Sequence, residues 1–396
     1  MISLRPYAEL LSRRDIRNTF IASVLGRLPI GITGLAILIL VQSKSMSFGR
    51  GGIATACYVA GLASVAPALG RFIDLRGPAM MLRACAVIFP ATLCALVLCV
   101  LLQAPPLTIF AFAAVAGASF PPITVCMRTY LRQRITQDAL LTAAYSLEAV
   151  LIETIFIAGP MLVALFVALD APAAAVLFAA FCAAIGTLLF LHSPALQGWP
   201  IEPRSGAGLL GPLHDSQFVF LLLVIACFSI AFGLVEIGVT AYATELGQPA
   251  LAGLILGLMS AGSALGGVAY GARTWGLGYP KQFAATLALM GAGLALLAAP
   301  WPPLAFTALS TLAGVAMAPT LTIQSVLVTK TVGAEHSTEA FTWSVSALLA
   351  GVGIGFALGG ALLEVYRSWA ALAASAFAAL CAAGGAYCAL REKLGG

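Results

Sequence analysis

Charged side chains are so sparse along this sequence that solid apolar blocks of about 20 residues recur between them. Twenty Lys and Arg and 15 Asp and Glu are spread over 396 residues. At 9% charged the chain cannot cover a globular surface, since soluble proteins carry about 25%. A hydrophobic content of 61% also excludes disorder. The net charge of +5 is modest and no basic stripe is interleaved with aromatics, so no nucleic-acid partner is expected. Strands of a membrane barrel would alternate over about 10 residues, whereas these blocks are solid. The composition points to an all-α polytopic membrane protein whose solvent is the lipid bilayer.

Charges, prolines and glycine clusters interrupt the blocks and place twelve spans. They lie near residues 18–42, 52–72, 80–102, 106–130, 139–168, 172–192, 217–243, 250–273, 282–300, 304–328, 337–364 and 369–390. Basic residues near the ends set direction. With the N-terminus inside, sixteen of the twenty fall on the cytoplasmic side, among them Arg71, Arg76, Arg128, Arg204, Lys281, Lys330, Arg391 and Lys393. Only Lys44, Arg50 and Arg367 fall on the other side, and Arg27 is left inside a span. Both termini are therefore expected in the cytoplasm, and the chain in the inner (plasma) membrane. The first 17 residues hold four Arg and no cleavage-type apolar region, so they read as a cytoplasmic leader. Nine Cys are scattered singly, no CxxC occurs and only three His exist. No disulfide framework, metal site or cofactor is expected.

The halves on either side of the polar segment 193–216 resemble each other. Ile30, Gly31, Ile32 and Thr33 match Ile237, Gly238, Val239 and Thr240. Gly117 and Pro122 match Gly314 and Pro319 with identical spacing, Gly159-Pro160 falls opposite Gly355-Phe356, and Gly70 falls opposite Gly271. Taken in order along the chain, the offsets are 207, 201, 197 and 196. Residues 1–192 and 217–396 are thus expected to form two pseudo-symmetric six-helix bundles, joined by a cytoplasmic linker over 193–216, the parallel-repeat plan of many secondary transporters.

The loop after span 2 reads Gly70-Arg71-Phe72-Ile73-Asp74-Leu75-Arg76-Gly77-Pro78. It resembles the signature between helices 2 and 3 of the major facilitator superfamily. Gly70, Asp74 and Gly77 keep the spacing. The basic residue is displaced to Arg76, and Pro78 and Ala79 stand where a basic pair is usual. Gly159-Pro160 in span 5 resembles the helix-5 motif of the drug:proton antiporter branch, although Val163 and Ala164 replace its double Gly. The Arg that this branch carries in helix 4, four residues before a Gly, is Ala113 here. The resemblance implies alternating access, with helices 1, 4, 7 and 10 lining a central cavity and helix 5 packed beside helix 1.

A latch gives the loop physical sense. The Asp74 carboxylate can sit against a helix N-terminus of the other bundle, where the macrodipole favours negative charge, and Arg71 or Arg76 can hold an acidic partner. Gly70, Asp74, Arg76 and Gly77 are the gating candidates. A charged turn that only sets topology is the plainer reading. The second-half counterpart, Gly271-Ala272-Arg273-Thr274-Trp275, has no acid.

Ionisable groups inside a bilayer cost about 2.5–3.5 kcal/mol on insertion scales and are functional candidates by default. Arg27 in span 1, Glu148 and Glu153 in span 5 and Glu236 in span 7 stand out. A carboxylate in apolar surroundings takes up a proton more readily than one in water, so Glu153 and Glu236 are the expected proton carriers. The structural alternative pairs Glu153 or Glu148 with Arg27, and Glu148 with Arg128. Arg27, Glu236, Thr33, Thr124, Gln324 and Trp343 are candidates for the substrate cavity, with Thr240 and Thr342 beside them. Gly159 and Pro160 can also serve plain helix packing, as can Gly351, Gly355 and Gly359, which recur every four residues.

No Walker motif and no nucleophile–base constellation is present, so no enzyme is expected. The expectation is a twelve-helix, monomeric secondary transporter that couples protons to efflux of a small organic molecule. An importer or uniporter of the same fold, or a transport-inactive receptor, would share these features.

Overall fold

The structure is a computed structural model that describes residues 5–45, 48–194, 196, 199, 211–248 and 251–389. Glu202 and Arg204 of the expected linker, together with Arg391 and Lys393, lie outside the described residues. Among the described residues, twelve helical spans are long and apolar enough to cross a membrane. In chain order they are span 1 (Arg14–Ser45), span 2 (Arg50–Arg76), span 3 (Pro78–Leu101), span 4 (Pro106–Arg134), span 5 (Asp138–Ala168) and span 6 (Pro172–Leu191). Span 7 (Ser216–Glu245), span 8 (Leu251–Gly271), span 9 (Tyr279–Leu297), span 10 (Pro303–Thr331), span 11 (Ala334–Val365) and span 12 (Ser368–Cys388) follow. Their number and order match the sequence expectation, and most run past the apolar blocks at one end or both. Two short helices among the described residues lie outside them, Arg5–Ser12 within the segment read as a leader and the 3-10 turn Gly211–His214 just before span 7.

Prolines start and break these helices. Spans 3, 4, 6 and 10 each open on a proline (Pro78, Pro106, Pro172, Pro303), where the missing N–H has no partner to lose. Span 4 divides into Pro106–Ala118 and Ile123–Arg134 at Pro121-Pro122. Span 10 divides into Pro303–Gly314 and Met317–Thr331. A proline ring clashes with the carbonyl four residues back, which is Ala118 for Pro122 and Val315 for Pro319. The two breaks therefore fall at repeat-equivalent places for the same reason. Span 1 is broken at Leu28, just before Pro29.

The packing repeats as well. In the first half span 1 packs on spans 5 and 6, span 2 on span 4 and span 3 on span 6. In the second half span 7 packs on spans 11 and 12, span 8 on span 10 and span 9 on span 12. Small residues allow these approaches. Gly159 of span 5 lies against Gly31 of span 1, and Gly355 of span 11 lies against Gly233 of span 7. Gly351 and Gly359 extend the latter contact onto Ala226 and Ile237. The two bundles meet chiefly where span 2 packs on span 11 and span 5 on spans 8 and 10.

Candidate functional site

The side-chain hydrogen bonds found between the bundles among the described residues lie in one half of the molecule, toward the end where spans 2, 4 and 10 finish. The Asp74 carboxylate accepts the backbone N–H groups of Thr338 at 3.0 Å and Glu339 at 2.8 Å, at the first turn of span 11. Gly70, one turn earlier, has no room for a side chain against Thr342 and the Glu339 backbone. Gly77 turns the chain at φ 78°, in the left-handed region that favours glycine. Arg76 lies over the ring of Phe72 on its own span, 5.1 Å from the centroid, rather than against an acid of the other bundle. Thr129 meets Thr338 at 3.2 Å, and Ser346 donates to the Ala63 carbonyl at 2.8 Å.

The second contact, between span 5 and spans 8 to 10, has no counterpart of Asp74 in the loop after span 8 and is made by several separate bonds. Lys330 bonds Asp138 at 2.7 Å, Tyr145 meets Thr329 at 2.8 Å and Thr142 meets Tyr279 at 2.9 Å. Arg132 donates to the Val332 and Gly333 carbonyls. Ser146 donates to the Gly267 carbonyl. Tyr7, from the helix before span 1, reaches across both bundles. Its hydroxyl meets Ser146 at 3.0 Å and donates to the Val268 carbonyl at 3.0 Å. Gly271 sits under this hydroxyl as Gly70 sits under Thr342. The segment read as a mere leader thus contributes a structural contact, with Leu10 fully buried. Its sequence signal was slight: one Tyr and an apolar pair within four arginines' reach.

Toward the other end these bonds stop at Glu153. Its half-buried carboxylate accepts from the Ser263 hydroxyl of span 8 at 2.9 Å. Ser263 in turn accepts the backbone N–H of Ala318 at 3.0 Å. That N–H lies in the first turn after the break in span 10, where a helix leaves its donors unpaired. Three spans are therefore joined through the Ser263 hydroxyl, and the break supplies the third. Ser263 is not marked by any sequence motif.

Glu236 stands apart. It lies nine residues before the end of span 7, about 14 Å along the helix. Its side chain is exposed between the buried Val235 and Gly238, and it has no ion-pair partner among the described residues. Beyond its level no side-chain hydrogen bond joins the two bundles among the described residues.

The ion pair of Glu148 is with Arg27, not with Arg128. Arg27 Nη1 and Glu148 Oε1 are 2.8 Å apart, and both side chains have no exposed surface. Arg128 lies within electrostatic reach of both, but its Nε has no hydrogen-bond partner. Span 5 brings Glu148 to span 1 because Gly31 and Gly159 let the two backbones touch. Arg27, read as a cavity residue, is consequently closed off in this conformation. Thr33 is also buried and donates to the Pro29 carbonyl of its own helix at 2.8 Å. Gln324 is buried and donates to Ser344 at 2.7 Å. Thr124 and Trp343 are half-buried, and the Thr124 hydroxyl and the Trp343 indole N–H have no partner among the described residues. Thr342 packs on Gly70, and Thr240 is exposed one turn beyond Glu236. Among the described residues no group of His, Cys, Asp and Glu is arranged to hold a metal ion.

No protein-family model and no curated protein matches the sequence. Solved structures do. The chain is similar to the human organic anion transporter MFSD10 (TETRAN), with a TM-score of 0.72 and 17% identity over 94% of this chain and 99% of that one. It is similar to a bacterial homologue of the iron transporter ferroportin in the outward-facing state, with a TM-score of 0.77 and 13% identity over 93% and 98% of the two chains. The same homologue with soaked iron gives 0.75 and 14% over 93% and 98%. At such identities the likeness is one of fold.

Proposed function

We propose that this chain, which has the two-bundle fold of major facilitator transporters, is a secondary active transporter working by alternating access. The observation that carries the reading is the asymmetry of the bundle contact. Among the described residues the inter-bundle bonds run from Asp74 up to Glu153, and Glu236 is exposed beyond them. With the basic end placed in the cytoplasm, this is a conformation closed to the inside and open to the outside.

In this scheme Glu236 takes a proton from the outer solution and Glu153 holds the inner half shut. As a carboxylate, Glu153 receives a charge-assisted bond from Ser263. Once protonated it loses that advantage, and the contact between spans 5 and 8 weakens. Protonation of Glu153 would thereby favour opening toward the inside. A proton carried inward in this way suits export of a small organic molecule in exchange. The Arg27–Glu148 pair acts as a fixed strut between spans 1 and 5. The chain would act as a monomer.

The test is reconstitution into liposomes with an imposed pH gradient and an internal pH dye. A panel of small organic cations, anions and zwitterions is then offered on each side. Export is supported if a solute added inside draws protons inward. Solute movement that ignores the gradient would establish a uniporter, and binding without movement would establish a receptor.

A further inference from the structure

A cavity of about 450 Å³ opens at the end of the first bundle remote from Asp74, between the ends of spans 1 and 3 and the starts of spans 2 and 4. Its volume falls in the range of about 300–1,000 Å³ of small-molecule sites. Its floor is apolar and buried, made by Val41, Val100 and Ile109. Its rim carries Lys44, Arg50 and Gln103, all exposed. No carboxylate lines it.

The charge is informative because this end is otherwise nearly free of cations. Among the described residues the basic side chains at this end are Lys44, Arg50 and Arg367, and the first two border this one cavity. Cations on this side run against the bias that orients the chain. A pair of them above an apolar floor makes an amphiphilic cup, with the charge at the mouth and the hydrocarbon surface beneath.

We propose that this cavity binds an amphiphilic anion, whose carboxylate or phosphate group sits between Lys44 and Arg50 and whose apolar body rests on Val41, Val100 and Ile109. The group can come from a lipid headgroup or from a soluble organic anion. The site stands whether or not the chain transports by the scheme above.

The full chain, purified in a neutral detergent, is titrated with 2-naphthoate, with the uncharged 2-naphthamide, and with inorganic phosphate, reading thermal unfolding. Saturable stabilisation by naphthoate alone is expected. The K44Q/R50Q variant should weaken it by about tenfold or more, and Lys281→Gln, exposed at the opposite end, should leave it unchanged. Lys44→Glu, a single exposed change, should have the same effect if the double variant folds poorly. Competition by short-chain phosphatidylglycerol, but not phosphatidylcholine, assigns the anion to a lipid; lack of competition assigns it to a soluble anion. Equal binding of naphthamide, undiminished binding to K44Q/R50Q and Lys44→Glu, no saturable binding, or the same response to phosphate alone would each overturn the site.

Discussion

The Asp74 side chain of span 2 caps span 11 of the opposite bundle, its two oxygens 3.0 and 2.8 Å from the backbone nitrogens of Thr338 and Glu339. It satisfies donors the helix cannot pair internally and meets the positive end of its dipole. Caps contribute about 0.5–2 kcal/mol. Asp74→Ala should therefore shift the closed–open balance of the inner half severalfold toward open, and Asp74→Asn less. With the nine native cysteines replaced by serine or alanine, a thiol introduced at Val328, fully buried in that half, should react faster with a maleimide in both variants. An unchanged rate would remove Asp74 from the gate.

Tyr7 secures the other side of the same closure. Tyr7→Phe removes its bonds to Ser146 and Val268 and should cost about 1 kcal/mol. Burial pushes the Tyr7 hydroxyl above its usual range. The folded state therefore favours the neutral phenol, and the contribution is fully present below the ordinary tyrosine value of about 10. It is lost only as pH rises through the higher folded value. The drop in unfolding midpoint caused by Tyr7→Phe should be equal at about pH 6 and pH 8. A drop that changes between them would point to another titrating group.

Arg27 and Glu148 are both without exposed surface, so neither can recover solvation if the other is removed. Removing one partner of a buried pair typically costs about 3–5 kcal/mol. Arg27→Gln and Glu148→Gln should each lower the unfolding midpoint sharply, and the double variant by less than their sum. Additive effects would show that the two residues are stabilised separately.

The architecture was legible in the sequence because bilayer burial leaves a strong mark: apolar blocks, biased arginines and a repeat anchored on Gly117/Gly314 and Gly159/Gly355. Asp74 was legible because a motif isolates it. The partners were not. Arg128 and Arg27 both lie within a plausible reach of Glu148 in the chain, and only the close approach of Gly31 and Gly159 selects Arg27. Ser263 is one small polar residue in an apolar span, and its importance comes from the break in span 10 that turns the Ala318 N–H toward it. Tertiary contacts of single hydroxyls, including Tyr7 and Tyr145, have no periodicity to betray them.

Gly117 and Gly314 test the repeat as packing. A methyl at Gly117 would overlap the Tyr58 carbonyl, and one at Gly314 the Met259 carbonyl. Both obstacles are backbone, so the helices must part, at about 1–3 kcal/mol. Gly253 in span 8 has nothing near its would-be methyl, so Gly253→Ala should be neutral or stabilise by up to about 1 kcal/mol. Unfolding midpoints of the three alanine variants should therefore split two against one. Comparable midpoints would mean that spans 2–4 and 8–10 are not held at glycine contact.

Glu153 and Glu236 are assigned different parts of one proton cycle, and substrate-free reactivity can separate them. Glu153 bonds across the bundles and Glu236 does not. The thiol at Val328, with its rate normalised to that of the unfolded chain, should become more reactive as pH falls, because protonation weakens the Glu153–Ser263 bond. Glu153→Gln is permanently neutral and should be reactive at every pH, and Ser263→Ala should resemble it. Glu236→Gln should keep the wild-type pH response of the gate while losing proton movement in liposomes. If Glu153→Gln retains the pH response, the gate is titrated elsewhere; if Glu236→Gln still moves protons, the outer carrier is another group.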